Sequence, residues 1–246
     1  METSEKREIR VKVSIITRAF DRLEYTIQCI NGVYYNAGYD DYEHIVIDQG
    51  SKDGTKEWLK WITRMPNHWY KRVKPIFLRS NVGDFGGMKV GFEYAKGDLI
   101  MQLDNDMYME TKDWLVKMVF AFGELDAQVM MADRKGFKEE IPFDQNSEKR
   151  IFHNQCELVC VKIPKAVSCY IIKRELFEER YKKALNCRQI TKGDNSWKIL
   201  NVYGVHIEGY DSVTESYIQH DKYGFQADKI FLSKRFIFKH GRRKVP

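Results

Sequence analysis

Three absences narrow what this 246-residue sequence encodes before any motif is considered. It has no CxxC pair, and its five cysteines are an odd number, which argues against a disulfide framework or a paired-cysteine zinc site. It has no charge-free apolar run near the ~20 residues that a membrane-spanning helix needs. It also has no internal repeat or low-complexity segment. The sequence therefore predicts a globular, cytoplasmic protein.

Acidic residues are missing from the stretch 230–246, here called the basic tail. Its basic side chains are Lys234, Arg235, Lys239, Arg242, Arg243 and Lys244. One interpretation is peripheral contact with the phosphates of a membrane surface, and the other is a solvated terminus. The formal charge of the whole chain is only +6, so a nucleic-acid partner is not expected.

Short apolar runs alternate with stretches of helical periodicity over the first hundred residues. Buried strands are predicted at 11–17, 44–48, 74–79, 98–103, 157–163 and 167–172. The charged segment 133–150 is interpreted as a surface loop. Alternation of this kind predicts the α/β class, with an open, mainly parallel (mixed) sheet flanked by helices in a single domain over 1–246.

Two carboxylates fall where predicted strands end. Asp48 closes the second strand, and the acidic triplet Asp104-Asn105-Asp106 directly follows the fourth. Ligands of open α/β sheets bind beyond the carboxyl ends of the strands, so these side chains are expected at one edge of the sheet. Aspartates one residue apart can share a hard divalent cation, although such a triplet alone is also common in turns.

Four ordered blocks make the pattern specific. Residues 14–22 read SIITRAFDR and resemble S-I-I-I-P-T-Y-N-R, and residues 47–55 read IDQGSKDGT and resemble V-D-D-G-S-x-D-G-T. Residues 81–91 read NVGDFGGMKVG and resemble N-x-G-x-x-x-A-x-N-x-G. Residues 95–106 read AKGDLIMQLDND and resemble A-x-G-x-Y-I-x-x-L-D-x-D. The patterns are those of the family-2 inverting glycosyltransferases, and residues 168–177 resemble a later segment of that family.

The resemblance implies a GT-A fold and metal-assisted, inverting transfer from a nucleoside-diphosphate sugar to a hydroxyl acceptor, a glycan above all. It places the nucleotide-sugar-binding half at about 9–110 and the acceptor-binding half at about 111–246. The nucleotide-sugar-binding residues that it implies are Ala19, Phe20, Asp48, Gln49, Asp104 and Asn105. It also implies that Mn²⁺ or Mg²⁺ is held by Asp104, Asp106 and His240.

Five residues depart from the family pattern. Arg18 stands where proline is usual, and Ala19 replaces a threonine. Gln49 replaces the second aspartate of the D-D pair, Lys89 replaces an asparagine, and Tyr210 replaces a glutamate. A glutamine amide both donates and accepts hydrogen bonds, so it can still read a pyrimidine base. The donor nucleotide therefore stays open among UDP, GDP and dTDP.

A general base must deprotonate the acceptor hydroxyl during inverting transfer. The resemblance places it in the segment 209–215, where Asp211 is the favoured residue. Glu215 stands three residues after Ser212, the spacing of a capping box, which gives Glu215 a structural role instead. Glu215, Glu208 and Asp194 remain alternatives for the base.

Two other functions compete with glycosyl transfer. A sugar nucleotidyltransferase would need a glycine-rich phosphate loop after the first strand, and residues 17–22 contain no glycine. A non-catalytic nucleotide- or glycan-binding module of the same fold is the other alternative. Both triplet carboxylates are retained, which disfavours it.

Overall fold

The computed structural model describes residues 11–65, 70–124, 126–135, 150–153, 156–161, 169–182 and 197–206. The strands are β1 (Val13–Ala19), β2 (Tyr42–Asp48), β3 (Val73–Phe77), β4 (Leu99–Leu103), β5 (Met107–Met109), β6 (Val129–Lys135), β7 (Arg150–His153), β8 (Cys156–Val161), β9 (Cys169–Lys173) and β10 (Trp197–His206). The helices are α1 (Leu23–Asn36), α2 (Thr55–Ile62), α3 (Gly83–Tyr94), α4 (Trp114–Glu124) and α5 (Arg174–Lys182).

The described strands form one sheet in the order β3-β2-β1-β4-β9-β6-β10-β8-β7, with β5 paired to β10. The β3-β2-β1-β4 part is parallel throughout. Beyond β4, the pairings are antiparallel except for β6 with β10. The mixed α/β sheet predicted from the sequence is confirmed. The surface loop predicted for 133–150 is wrong at both ends, because β6 continues to Lys135 and β7 begins at Arg150.

The central strands bury both faces, which explains why they read as continuous apolar runs. Val13 and Ile15 of β1 pack with α1 and α4 in one core cluster. Ile16, which points the other way, packs with α3 and α5 in a second cluster. Cys29 and Cys169 are buried free thiols. In the described part of the chain, no helix has the length and apolar character needed to cross a membrane.

Gly97 shows why one glycine of the sequence motif is needed. Its N–H donates to Ser14 Oγ at 2.7 Å, and its carbonyl accepts from Arg174 Nε at 2.6 Å. A Cβ at this position would lie 2.5 Å from the Ser14 nitrogen and 2.8 Å from the Lys12 oxygen. Both contacts are with backbone atoms, so the loop into β4 has no flexible neighbour that could make room.

Gly97→Ala should therefore destabilise the protein by about 2–3 kcal/mol, the usual effect of overpacking a rigid site. Urea unfolding followed by circular dichroism measures the change. Gly123→Ala is the matched control, because no described atom lies within 4 Å of a Cβ there and alanine favours the helix. Equal stability of the two variants would contradict this explanation of Gly97.

His44 is a buried histidine in the middle of β2. Its Nε2 lies 2.9 Å from Thr17 Oγ1, and its Nδ1 has no hydrogen-bond partner among the described residues. Burial lowers the pKa of His44 from 6.5 to about 3, so the folded protein keeps the ring neutral. The unfolded chain takes up a proton near pH 6.5, and the folded chain does not. The stability contributed by this residue is complete above pH 6.5 and is lost as the pH falls toward 3.

Lowering the pH from 7 to 5 should thus remove about 2 kcal/mol of stability through His44 alone. The measurement is the free energy of unfolding in urea at both pH values, for the wild type and for His44→Gln. The glutamine cannot titrate, so its loss of stability over this range should be smaller by that amount. The same loss in both proteins would mean that His44 does not carry the effect.

Candidate active site

The loops that follow β1 and β2 are held together by hydrogen bonds between their side chains and backbones. Ser51 Oγ accepts from the Asp21 N–H at 2.8 Å, and Asp21 Oδ1 accepts from the Lys52 N–H at 2.8 Å. Asp53 accepts from the Leu23 N–H at 2.6 Å through Oδ2 and from Thr55 through Oδ1. Asp53 therefore satisfies backbone donors at the start of both α1 and α2.

This network explains residues that the sequence analysis left without a role. Asp21 and Arg22 have left-handed backbones, with φ of 54° and 60°, which non-glycine residues rarely adopt. The bonds from Ser51 and Asp53 hold that conformation. The sequence signal was the turn spacing of Asp53 and Thr55, since an aspartate often binds the N–H two residues on.

Asp48 and Gln49 lie at the end of β2, next to Ala19 of β1. Asp48 is fully buried, and its Oδ1 accepts from the Ser51 N–H at 3.1 Å. Its Oδ2 is buried with no hydrogen-bond partner in the described part of the chain, and burial raises the pKa of Asp48. Gln49 Oε1 accepts from the Val82 N–H at 3.2 Å, which ties it to the start of α3.

Ala19 ends β1 and Phe20 directly follows it, at the same edge of the sheet. Ala19 is fully buried in a core cluster with α1 and α2, and its carbonyl accepts from the Gln49 N–H at 2.8 Å. The Phe20 side chain is 44% exposed. Phe20 follows Ala19, the residue paired with Asp48, and its ring offers an apolar surface to solvent at this edge.

The acidic triplet directly follows β4, which pairs with the other side of β1. Asp104 Oδ1 accepts from Arg18 Nη2 at 2.5 Å and from Gln102 Nε2 at 3.4 Å. Burial raises the pKa of Asp104 to about 6, while Arg18 lowers it and Asp106 raises it further. Gln102 is itself held by the Tyr170 hydroxyl of β9 at 3.2 Å. The sequence analysis predicted neither the contact of Gln102 with Asp104 nor that of Tyr170 with Gln102.

The other two triplet residues face α1 and the loop before it. Asp106 Oδ2 lies 3.7 Å from Arg22 Nη1, and its side chain is 14% exposed. The Asn105 amide donates to Thr26 Oγ1 of α1 at 3.3 Å. Each of the two triplet carboxylates thus has an arginine beside it, and both arginines come from the segment that begins at the end of β1.

The donor set of the triplet suits a hard divalent cation. No group of three or more histidine, cysteine or acidic side chains is placed to hold a metal in the ranges that the structure describes. Two carboxylates are sufficient for Mg²⁺ or a similar ion when substrate phosphates and waters complete the shell. Asp104 and Asp106 therefore fit such an ion, whereas His240, the third ligand implied by the resemblance, lies outside the described residues.

The structure brings most of the predicted binding residues to one edge of the sheet. Asp48 and Gln49 follow β2, Ala19 ends β1, and Asp104 follows β4, with β1 in the middle. Asp211, its alternatives Glu215, Glu208 and Asp194, and the basic tail all lie outside the described residues. They remain predictions.

Comparisons with curated proteins match short parts of the chain. It is 36% identical over 67 residues to an undecaprenyl-phosphate 4-deoxy-4-formamido-L-arabinose transferase of Aeromonas hydrophila, covering 27% of this chain and 20% of that protein. It is 30% identical over 95 residues to the glycosyltransferase AglE of Haloferax volcanii, covering 38% and 30%. The chain thus spans less than a third of the length of these relatives.

Solved structures match over a larger share of the chain. The mannosyltransferase PcManGT of Pyrobaculum calidifontis, in complex with GDP-Man and Mn²⁺, has a TM-score of 0.58 at 14% identity, covering 82% of this chain and 58% of that one. TarS 1–349 of S. aureus, in complex with UDP-GlcNAc, has a TM-score of 0.60 at 15% identity, covering 84% and 60%. At such low identity the likeness shows a shared fold, which is the GT-A fold predicted from the motifs.

A family model covers the four ordered blocks, the segment 168–177 and the described edge of the sheet. The model is Glycosyl transferase family 2, and it matches residues 14–181. This is more than half of the 246-residue chain. The chain belongs to glycosyl transferase family 2.

Proposed function

We propose that this protein is a metal-dependent glycosyltransferase that moves a sugar from a nucleoside diphosphate to a hydroxyl acceptor with inversion at the anomeric carbon. The observation that carries the proposal is that a buried aspartate, Asp48, and the acidic triplet lie at the same edge of the sheet. Asp48 and the acidic triplet flank β1 there, one beyond each neighbouring strand. A nucleotide-sugar donor requires a buried hydrogen-bond acceptor for its nucleobase and a metal site for its diphosphate.

The nucleobase would bind beside Asp48. The buried Oδ2 of this residue is an acceptor with no partner in the described structure, and it suits the imide N–H of a uracil, thymine or guanine ring. Gln49 already accepts from Val82 through its oxygen, which leaves its amide N–H groups as the donors for a base carbonyl. The exposed ring of Phe20 offers an apolar face for stacking. This chemistry accepts UDP, GDP or dTDP.

The diphosphate would bind at the triplet together with Mn²⁺ or Mg²⁺, which neutralises the charge of the leaving group. Asp104 and Asp106 would hold the ion, with His240 proposed as a further ligand. Asn105 keeps the triplet against α1 through Thr26. The role of these residues is to position the ion and the phosphates, because the arriving hydroxyl attacks the sugar and not these side chains.

Asp211 is the proposed base that takes the proton of the acceptor hydroxyl, and Glu215 is its alternative. The acceptor is proposed to be a glycan or a lipid-linked sugar, met by the half of the chain after residue 110. The A. hydrophila relative is by its name a transferase to undecaprenyl phosphate, which supports peripheral contact with a membrane surface. The basic tail is the segment proposed to make that contact, from a cytoplasmic location.

Incubation with UDP-, GDP- and dTDP-sugars and Mn²⁺ tests the proposal. One donor should release its nucleoside diphosphate, slowly with water and faster with a suitable acceptor, and chelation with EDTA should stop the release. Release that is indifferent to EDTA would contradict the metal dependence. Binding of a nucleotide with no release from any of its sugars would favour a non-catalytic binding module.

A further inference from the structure

The proposed function gives no role to Arg18. It occupies a position where the family pattern has proline, and its side chain is 10% exposed. Its Nη2 donates to Asp104 Oδ1 at 2.5 Å, while Nη1 lies 3.3 Å from Asp84 Oδ1. Charged side chains this buried are normally held by a specific partner. The inner partner here is the carboxylate proposed to bind the metal.

The path of the Arg18 side chain depends on a glycine of α3. A Cβ on Gly87 would lie 3.1 Å from Arg18 Cγ and 3.2 Å from Gln49 Oε1. The missing side chain at Gly87 therefore leaves the space in which Arg18 reaches Asp104. Asp84, one turn earlier on α3, is 90% exposed and adds only a weak outer contact. The arginine is thus directed at the triplet by packing.

Binding of a guanidinium and a divalent cation to Asp104 at the same time is energetically unfavourable. Both would contact the same carboxylate, and like charges at that separation repel strongly in a partly buried site. The present position of Arg18 does not satisfy all of its donors, because Nε is buried with no hydrogen-bond partner among the described residues. A planar guanidinium pairs well with phosphate oxygens, so a diphosphate would offer it a new partner.

We propose that Arg18 is a competing cation that holds Asp104 against divalent ions until a nucleoside diphosphate arrives. The metal then takes Asp104, and the guanidinium turns to the diphosphate. The inference depends on the proposed function for the assignment of the triplet to a metal. It makes the metal and the nucleotide bind cooperatively, each raising the affinity of the other.

The test is a titration of Mn²⁺ into the intact chain by calorimetry, without nucleotide and with saturating UDP or, in a parallel arm, GDP. The proteins are the wild type, Arg18→Gln, Arg18→Lys and the control Lys173→Gln. The substitution Lys173→Gln also removes one positive charge. Lys173 lies opposite the first residue of β4, at the end away from the triplet, where it contacts Asp126. Its variant should bind Mn²⁺ like the wild type.

Without nucleotide, Arg18→Gln should bind Mn²⁺ at least fivefold more tightly than the wild type. The factor by which UDP or GDP tightens Mn²⁺ binding should fall at least fivefold in the same variant. For both quantities, Arg18→Lys should lie between the wild type and Arg18→Gln, because the lysine ammonium is a cation without the planar geometry of a guanidinium. Should Arg18→Gln melt far below the wild type, Arg18→Lys carries the comparison.

Unchanged or weaker Mn²⁺ binding in the folded Arg18 variants would overturn the inference, and so would the absence of binding in every protein. Turnover of a nucleotide sugar is measured separately. A wild type that transfers sugar while Arg18→Gln binds Mn²⁺ no more tightly would leave the proposed function standing without the competing cation. Tighter Mn²⁺ binding with no turnover of any donor would leave the competing cation standing and reject the transfer activity.

Discussion

Asp106→Ala should lower Mn²⁺-dependent turnover of the nucleotide sugar by about 10²–10³-fold, the range seen when one electrostatic partner of a developing charge is removed. The side chain is nearly buried beside Arg22, and no other described carboxylate except Asp104 follows β4 at this edge. Its removal leaves one triplet carboxylate, and that one is engaged by Arg18. The remaining oxygens cannot place the ion against the diphosphate.

The same variant should lose the Mn²⁺-dependent part of nucleotide binding, which calorimetry measures independently of turnover. Asp40→Ala is its control, since it removes the same charge from an almost fully exposed side chain before β2, at the other end of that strand. Full metal-dependent binding in Asp106→Ala would remove Asp106 from the metal site. Loss of binding in both variants would point to net charge instead of coordination.

Asp211→Asn should keep the affinity for the donor and lose about 10²–10⁴-fold in kcat, the usual contribution of a general base. Asparagine preserves the shape of the side chain but cannot take the acceptor proton. The measurements are kcat by coupled release of the nucleoside diphosphate and donor binding by calorimetry. A variant that binds normally but does not turn over separates proton transfer from binding.

Glu215→Gln is the matched comparison for Asp211→Asn. A capping residue acts on stability, so this variant should lower the melting temperature slightly and leave kcat near the wild-type value. If Glu215→Gln loses turnover and Asp211→Asn retains it, the base is Glu215. Full activity in both variants would direct the search to Glu208 and Asp194.

The sequence was sufficient to predict the parallel strands β1 to β4 and the edge of the sheet that carries the site, but it did not predict β5, β6, β7 or β10. Asp48 and Asp104 each follow a β-branched or apolar run, and parallel strands bring such positions together whatever lies between them. β5 could not be predicted, because Met107–Met109 is a three-residue strand that depends on pairing with distant β10. Local pattern carries no information about a partner that lies nearly a hundred residues away.

The electrostatics of the site were harder to predict than its location. Arg18 was visible as a departure from the family pattern, yet nothing in the sequence says that its guanidinium reaches Asp104. That contact depends on Gly87, which belongs to another element. The role of Asp53 was hidden for a similar reason, since it supports a backbone N–H that lies thirty residues earlier.

The pairing of β4 also constrains how the chain can be made. β4 lies between β1 and β9, and all five of its residues are buried. During synthesis, β4 leaves the ribosome roughly seventy residues before β9, so one edge of a buried and mostly apolar strand stays unpaired until β9 is made. An unpaired apolar edge is a template for aggregation. A fragment cut near residue 110 would keep that exposed edge permanently, so we expect such a fragment to aggregate.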